Sequence, residues 1–329
     1  MKNDDQTVLV TGAAGFIGSH VCEALLARGQ RVVGLDNFDA VYARPLKERN
    51  VAEIRRAHPG PAFEMVEGDA ADADLVTGLI RRTRPAGVIH LGARGGVRPS
   101  IEQPALYCRV NIEATAVMLE AARRSDGCTR FVLASSSSVY GNLSHAPFSE
   151  TDDVSFPISP YAATKRACEL MGATFQHLYQ MPVACLRFFT VFGPRQRPSL
   201  AISMFLEKIA GGRPIPVFGD GSTSRDYTYI ADIVSGVLAS YDRIPAHGYR
   251  IWNLGNSEPV TLNQMVDTVA RVVGKPAVID RQPAQPGDVE RTFANLQRSK
   301  AELAYAPSIT FEEGVRRQWS WMRDSGAMS

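Results

Sequence analysis

The stretch TVLVTGAAGFIGSH, residues 7–20, joins a short apolar run to an apolar helical pattern through three glycines. Gly12, Gly15 and Gly18 stand as GxxGxxG. The first glycine allows a tight turn, the second lets the backbone approach a pyrophosphate, and the third lets the helix pack close to the strand. The phosphates of a dinucleotide then rest on the helix N-terminus, where free N–H groups and the helix dipole favour an anion. A glycine triplet alone also fits any βα turn. Its position directly between a strand and a helix is what points to a nucleotide.

The rest of the chain agrees with a βαβ start. Strands are predicted at 7–12, 31–36, 62–68, 86–92, 130–136 and 183–189, and helices at 16–29, 46–58, 72–83, 104–124 and 160–179. The strand segments are continuous Val/Ile/Leu runs, as expected for strands buried on both faces. Alternation with helices predicts a parallel sheet covered on both sides, a doubly wound α/β (Rossmann) fold with right-handed crossovers. After residue 190 the rhythm breaks. Pro and Gly cluster at 211–222 and 282–288, between helical patterns at 200–211, 229–242, 261–273 and 311–323. A chain of 329 residues exceeds what one core usually organises. The expected division is a dinucleotide-binding domain over 1–189 and a smaller C-terminal α/β substrate lobe over 190–329, with some interleaving of segments.

Bulk properties exclude several function classes. The formal charge is +2 and there is no basic run, so nucleic acid is not an expected partner. Five cysteines, never spaced as CxxC, fit neither a disulfide framework nor a zinc site. No metal is expected. No 18-residue apolar stretch is present, and MKNDDQ runs straight into the first apolar segment without room for a signal peptide. The expected location is the cytoplasm, away from membranes.

Asp36 ends the second predicted strand. A carboxylate there accepts hydrogen bonds from ribose hydroxyls and repels a 2′-phosphate, which favours NAD over NADP. The plainer reading is a loop residue at a strand end. Asp69, after the third strand, either faces the adenine end of the cofactor or caps the next helix, a role Asp72 could also fill.

SPYAATK places Tyr161 and Lys165 on one helix face, a turn apart. A phenol is a poor base at its usual pKa of about 10. A neighbouring ammonium and a positive nicotinamide ring would lower that value and let Tyr161 take a proton from a sugar hydroxyl. LASSSSVYG ends the preceding strand, and serines at that end point into the cleft of an α/β sheet. Ser136 is the first candidate to hydrogen-bond the reacting oxygen, and Ser138 the second. A polar loop is the alternative for the four serines, and a solvated helix face for Tyr-x-x-x-Lys.

Taken together, TGAAGFIGS, SSSSVYG, SPYAATK and RDYTYIADI (225–233) resemble the extended short-chain dehydrogenase/reductase family, and within it the nucleotide-sugar epimerases. The likeness runs from about 7 to 323. It implies tightly held NAD that is not consumed, a hydride leaving C4 of a UDP-sugar and returning to the other face, and a homodimer paired through 104–124 and 160–179. It also implies that Phe16, Ile17, Asn37, Ala70, Leu91, Ala93 and Asn111 join the glycines, Asp36, Asp69, Tyr161 and Lys165 around the cofactor. Arg98, Val217, Phe218, Arg225 and Asp288 would serve the substrate. PIPVFGDG (214–221) reads as a short strand beside the uracil, and Arg225 suits a diphosphate or an ion pair with Asp226 or Asp232.

The reaction is narrowed by what stands after Ser136. Related dehydratases carry an Asp-Glu pair there and related decarboxylases a glutamate, where this chain has Ser137 and Ser138. Simple 4-epimerisation needs no extra carboxylate. RFFTVFGPRQRPS (187–199), PISPYAATK and GGVRPSIEQP resemble the UDP-glucuronate 4-epimerases. That resemblance assigns Thr190 and Arg197 to the sugar carboxylate, with Ser199 a departure from the usual acidic residue. Arg195 and Arg197 could instead meet the UDP phosphates or lie on a solvated loop, and Arg187 is expected to pair in the core. Arg94 also departs from the pattern and could reach the substrate. The alternatives are a UDP-glucose or UDP-N-acetylglucosamine 4-epimerase, a reductase exchanging NAD with solvent, and a non-catalytic NAD-binding sensor or scaffold.

Overall fold

The computed structural model describes residues 6–283 and 291–325. The chain opens with β1 (Thr7–Thr11), α1 (Phe16–Ala27), β2 (Arg31–Asp36), α2 (Arg44–Ala57), β3 (Phe63–Glu67), α3 (Ala73–Thr83) and β4 (Gly87–His90). Three helical pieces follow, α4 (Val97–Glu102), α5 (Pro104–Tyr107) and α6 (Ala114–Arg123), and then β5 (Phe131–Ser136), α7 (Pro160–Tyr179), β6 (Val183–Phe188) and β7 (Thr190–Phe192). The remainder holds α8 (Ala201–Ala210), β8 (Ile215–Phe218), β9 (Ser224–Tyr229), α9 (Ile230–Arg243), β10 (Tyr249–Leu254), β11 (Pro259–Thr261), α10 (Leu262–Val273), β12 (Ile279–Gln282), α11 (Gln297–Leu303) and α12 (Phe311–Asp324).

Seven parallel strands form the central sheet in the order β10-β6-β5-β4-β1-β2-β3. The order reverses between β1 and β4, which opens a crevice beyond their carboxyl ends. The unbroken apolar runs have the cause expected. In β1, Val8 and Val10 pack into one core, on the side of α1 and α9, while Leu9 packs into the other with residues of α3, α6 and α7. No face of the strand is left for water, so no alternation survives in the sequence.

Two features differ from the sequence reading. The helix expected over 104–124 is interrupted by a π turn over Cys108–Glu113, centred on buried Asn111. The seventh sheet strand, β10, comes from 249–254, beyond the expected boundary at 189, so the sheet itself interleaves the two parts of the chain. Its sequence, YRIWNL, mixes Arg and Asn among apolar residues. It does not read as a buried strand because Arg250 pairs with Glu302, and Asn253 takes hydrogen bonds from the Tyr140 hydroxyl and the Ser299 hydroxyl. Smaller sheets, β11-β9-β7 and β12-β8, lie beside this core. Among the described residues, no helix is long and apolar enough to cross a membrane.

Candidate active site

The carboxyl ends of the strands around the β1–β4 switch border a cleft of about 500 Å³. The glycine turn forms its floor. Gly12 sits at φ +67°, and a Cβ on Gly18 would lie only 2.0 Å from the Gly12 carbonyl oxygen. No side chain caps α1, so its first N–H groups are left for an anion. Phe16, Ile17, Asn37, Ala70, Leu91 and Ala93 line the cleft.

Asp36 is buried at the end of β2 and also lines the cleft. Its carboxylate accepts from the Ala14 and Phe38 backbone N–H groups, and Lys47 Nζ lies 3.4 Å away. Asp36 thus braces the glycine turn, and Lys47, which the sequence reading missed, offsets part of its charge. Asp69 lines the cleft and pairs with Arg109 at 3.0 Å, while Asp72 is the cap of α3. A cradle without room for a Cβ, an uncapped helix and a buried carboxylate at the ribose end fit a dinucleotide.

Asn111 stands apart from the other cofactor candidates. It does not line the cleft; the π turn rotates it inward, where its amide brackets the Arg94 backbone and donates to Thr164 Oγ1 at 2.9 Å. Val110 and Ala114 line the cleft in its place. Periodicity alone could not find them, because the extra residue of a π turn shifts the helix face.

Tyr161, Lys165, Ser136 and Ser138 all border the cleft. Ser159 caps α7 and Pro160 begins it, which sets Tyr161 in the first turn. The Ser136 side chain stands close enough to the Tyr161 hydroxyl to favour its ionised form, while Ser138 meets Ser136 through its backbone N–H. Burial raises the Tyr161 phenol above its ordinary value, opposed by the Ser136 hydrogen bond and the charge of Arg197. Lys165 donates to the Ala134 carbonyl at 2.8 Å, and burial lowers its pKa. Arg197, expected at the sugar carboxylate, thus also acts on the phenol through its charge.

The three arginines of 187–199 part company. Arg187 makes a bidentate pair with Glu169 at 2.8 and 2.9 Å inside the core. Arg195 turns away from the cleft to Glu23 on α1 and Glu53 on α2. Arg197 lines the cleft with Thr190, and its guanidinium has no hydrogen-bond or ion-pair partner among the described residues. Arg94 forms an ion pair with Asp39 at 2.9 Å across the cleft mouth.

Arg98, Val217, Phe218 and Arg225 do not line this cleft. Arg98 stacks on Phe218 at 4.8 Å, and Val217 is buried within β8. Asp226 accepts from the backbone of Asn256, Ser257 and Ala294, and Asp232 from that of Ser308 and Ile309. Asp288 lies outside the described residues.

Residues 9–318 match the family model described as GDP-mannose 4,6 dehydratase. The chain belongs to that family. It is an extended short-chain dehydrogenase/reductase. A UDP-glucuronate 4-epimerase of Thermodesulfobacterium geofontis (strain OPF15) is 38% identical over 318 residues, covering 96% of each chain. The crystal structure of UDP-glucuronic acid 4-epimerase from Bacillus cereus, in complex with UDP-glucuronic acid and NAD, superposes with a TM-score of 0.89 at 31% identity, over 97% of this chain and 99% of that one. UDP-glucose 4-epimerase from Thermotoga maritima, with UDP-glucose, gives 0.87 at 28% identity over the same shares. Backbone similarity is thus shared by epimerases of acidic and neutral sugars, and side chains must separate them.

Proposed function

We propose that this protein is an NAD-dependent isomerase that interconverts UDP-glucuronate and UDP-galacturonate by epimerisation at C4. The observation that carries the reading is Arg197. It is a cleft-facing guanidinium without an anion, beside Thr190 and close enough to influence the Tyr161 phenol. A neutral hexose gives it no partner, whereas a hexuronate carboxylate suits its planar fork. The relatives that act on UDP-glucuronate support the same choice.

NAD, held on the glycine turn and by Asp36 and Asp69, supplies a carrier that takes a hydride from C4 and gives it back. Tyr161 takes the 4-hydroxyl proton and later returns it, with Ser136 hydrogen-bonded to the same oxygen. Lys165, fixed by the Ala134 carbonyl, presents a buried positive charge to the cofactor side. The oxidised sugar is a β-keto acid, which loses CO2 fastest when the C–CO2 bond stands perpendicular to the ketone plane. Thr190 and Arg197 hold the carboxylate in a less reactive orientation and stabilise its charge. Elimination of water would need an added acid and base. The Ser137 and Ser138 positions offer only hydroxyls, so dehydration is not the reaction despite the family's description.

Residues 1–189 serve chiefly the dinucleotide and 190–329 the sugar nucleotide. Arg98, Phe218, the Val217 backbone and Arg225 serve the uridine diphosphate, with Asp288. Exposed Leu170, Leu178 and Tyr179 on α7 support a homodimer paired through that helix. Five unpaired thiols fit the cytoplasm.

The test is proton NMR of the purified protein with UDP-glucuronate or UDP-glucose and no added cofactor. A galacto-configured product from the acid alone is expected. Conversion of UDP-glucose without action on the acid would refute the reading.

A further inference from the structure

Arg197 is the one residue of 193–197 whose own groups are not tied down beyond its backbone. Before it, every position is anchored, and the anchors come from four helices. The Gly193 N–H donates to Gln318 Oε1 of α12 at 2.9 Å. The Pro194 carbonyl accepts from His20 Nε2 of α1 at 3.0 Å. Arg195 donates from Nε to Glu53 of α2 at 2.8 Å, and from both terminal nitrogens to Glu23 of α1 at 3.0 and 2.8 Å. Gln196 Oε1 accepts from Gln318 Nε2 at 3.0 Å and from the Ser203 hydroxyl of α8 at 2.9 Å.

The geometry at Arg195 is unusual. Its φ is +65°, a left-handed value that a side-chain-bearing residue seldom adopts without support. That kink sends two arginines, two positions apart, to opposite sides of the loop. Arg195 faces the paired carboxylates on α1 and α2, and Arg197 faces the cleft. With Arg94 paired to Asp39, a second unpaired guanidinium in the cleft would match a dianion, whereas Arg197 alone matches a single carboxylate. His20, held neutral by burial and by the Arg195 charge, adds no further cation to the junction. The helix that receives Arg195 is also the one whose N-terminus forms the nucleotide cradle. Arg195 therefore ties the loop that carries Arg197 to the helix that begins at the cradle.

We infer that Arg195 is a positioning residue for substrate specificity: its fork against Glu23 and Glu53 sets Arg197 relative to the nucleotide cradle and so creates the preference for a sugar that bears a carboxylate. The inference rests on the reading of Arg197 as the carboxylate ligand. A loosened loop would let Arg197 drift and admit Arg195 to the cleft, weakening recognition of the acid without disturbing the uridine diphosphate end. It would also release the carboxylate orientation. The C5–CO2 bond of the 4-keto acid would then break, its electron pair passing to C5 as the enolate of the C4 ketone. A solvent proton at C5 completes a 4-keto pentose, with CO2 as the other product.

Arg195→Lys tests this, since it keeps the charge but not the planar fork. Binding of UDP-glucuronate and of UDP-glucose is measured by titration calorimetry on the protein as purified, with thermal melting as the control for folding. We expect affinity for the acid to fall about tenfold, affinity for UDP-glucose to stay within about twofold, and UDP-pentose or UDP-4-keto-pentose to appear among the products. Equal losses for both ligands, or none for either, would overturn the inference. Should Arg195→Lys not fold, Glu53→Gln decides: it keeps an acceptor for Arg195 and should shift the same affinity ratio in the same direction, and an unchanged ratio would overturn the inference. Arg197→Ala separates this result from failure of the underlying reading. If that variant still prefers the acid, Arg197 is not the carboxylate ligand; if it loses the preference while Arg195→Lys keeps it, only the role of Arg195 is wrong.

Discussion

At Tyr161 the protein alone works against ionisation. Burial holds the phenol up, and the charge of Arg197 and the Ser136 hydrogen bond only partly oppose it. A positive nicotinamide in the filled cleft would add its charge to those of Arg197 and of Lys165, whose bond to the Ala134 carbonyl leaves its own charge intact. Tyr161→Phe should then abolish turnover while bound dinucleotide remains, which absorbance of the purified variant checks; near-normal turnover would remove Tyr161 as the base. Arg197→Ala should lower kcat/KM for UDP-glucuronate by about 100-fold or more, the scale of a lost charge-assisted contact near the reacting centre. Unchanged kinetics would take Arg197 out of the site. The residue scale is also where sequence runs short. Arg187, Arg195 and Arg197 are the same side chain within eleven positions, and their differing fates depend on Glu169, Glu23 and Glu53, none of which is nearby in sequence. Tyr161, Ser136 and the glycines were legible because a local spacing suffices to identify them.

Two loops flank the glycine turn, one after β2 and one after β4, because β1 lies between those strands in the sheet. The Arg94–Asp39 ion pair joins these loops, so it crosses the mouth of the cleft above the cradle. Both partners are largely shielded from water, which makes the pair stronger than an open surface pair. Arg94→Ala should speed release of bound dinucleotide about tenfold while leaving the sugar preference intact. Dialysis against a dinucleotide scavenger, followed by assay of retained cofactor, measures this; equal retention would show that the pair does not hold the cofactor in. Element boundaries of the central sheet were readable from apolar runs, since a strand buried on both faces advertises itself. The π turn and β10 were not readable. The first is a change of register that keeps helical composition, and the second hides its burial behind Arg250 and Asn253, whose polar groups are satisfied by distant partners.

Among the described residues, two histidines outside the reacting groups, His20 and His90, couple the fold to its acid stability. Burial lowers His20 to about 4, and His90, hydrogen-bonded through Nδ1 with the Thr11 hydroxyl beside the cradle, to about 3. Below their ordinary value of 6.5 the unfolded chain binds these protons first, so stability falls as pH drops from 6.5 through 4 and 3. At about 1.36 kcal/mol per pKa unit the full loss is about 3 kcal/mol for His20 and about 5 kcal/mol for His90. Denaturant midpoints at pH 7 and 4.5 should differ accordingly, and His20→Gln should flatten the dependence; an equal slope would show that His20 does not report on folding. At this scale the doubly wound architecture follows from strand rhythm, whereas the choice between acidic and neutral sugar does not follow from the fold, which both kinds of epimerase share. In the proposed reading that choice falls to Arg197, whose guanidinium has no ion-pair partner among the described residues. The central claim is that the acid is epimerised by a hydride that leaves and re-enters at C4 without meeting solvent. UDP-glucuronate deuterated at C4, supplied to the purified protein in ordinary water without added cofactor, should give UDP-galacturonate with the deuterium still at C4. Loss of the deuterium to solvent, or turnover of UDP-glucose with none of the acid, would contradict it.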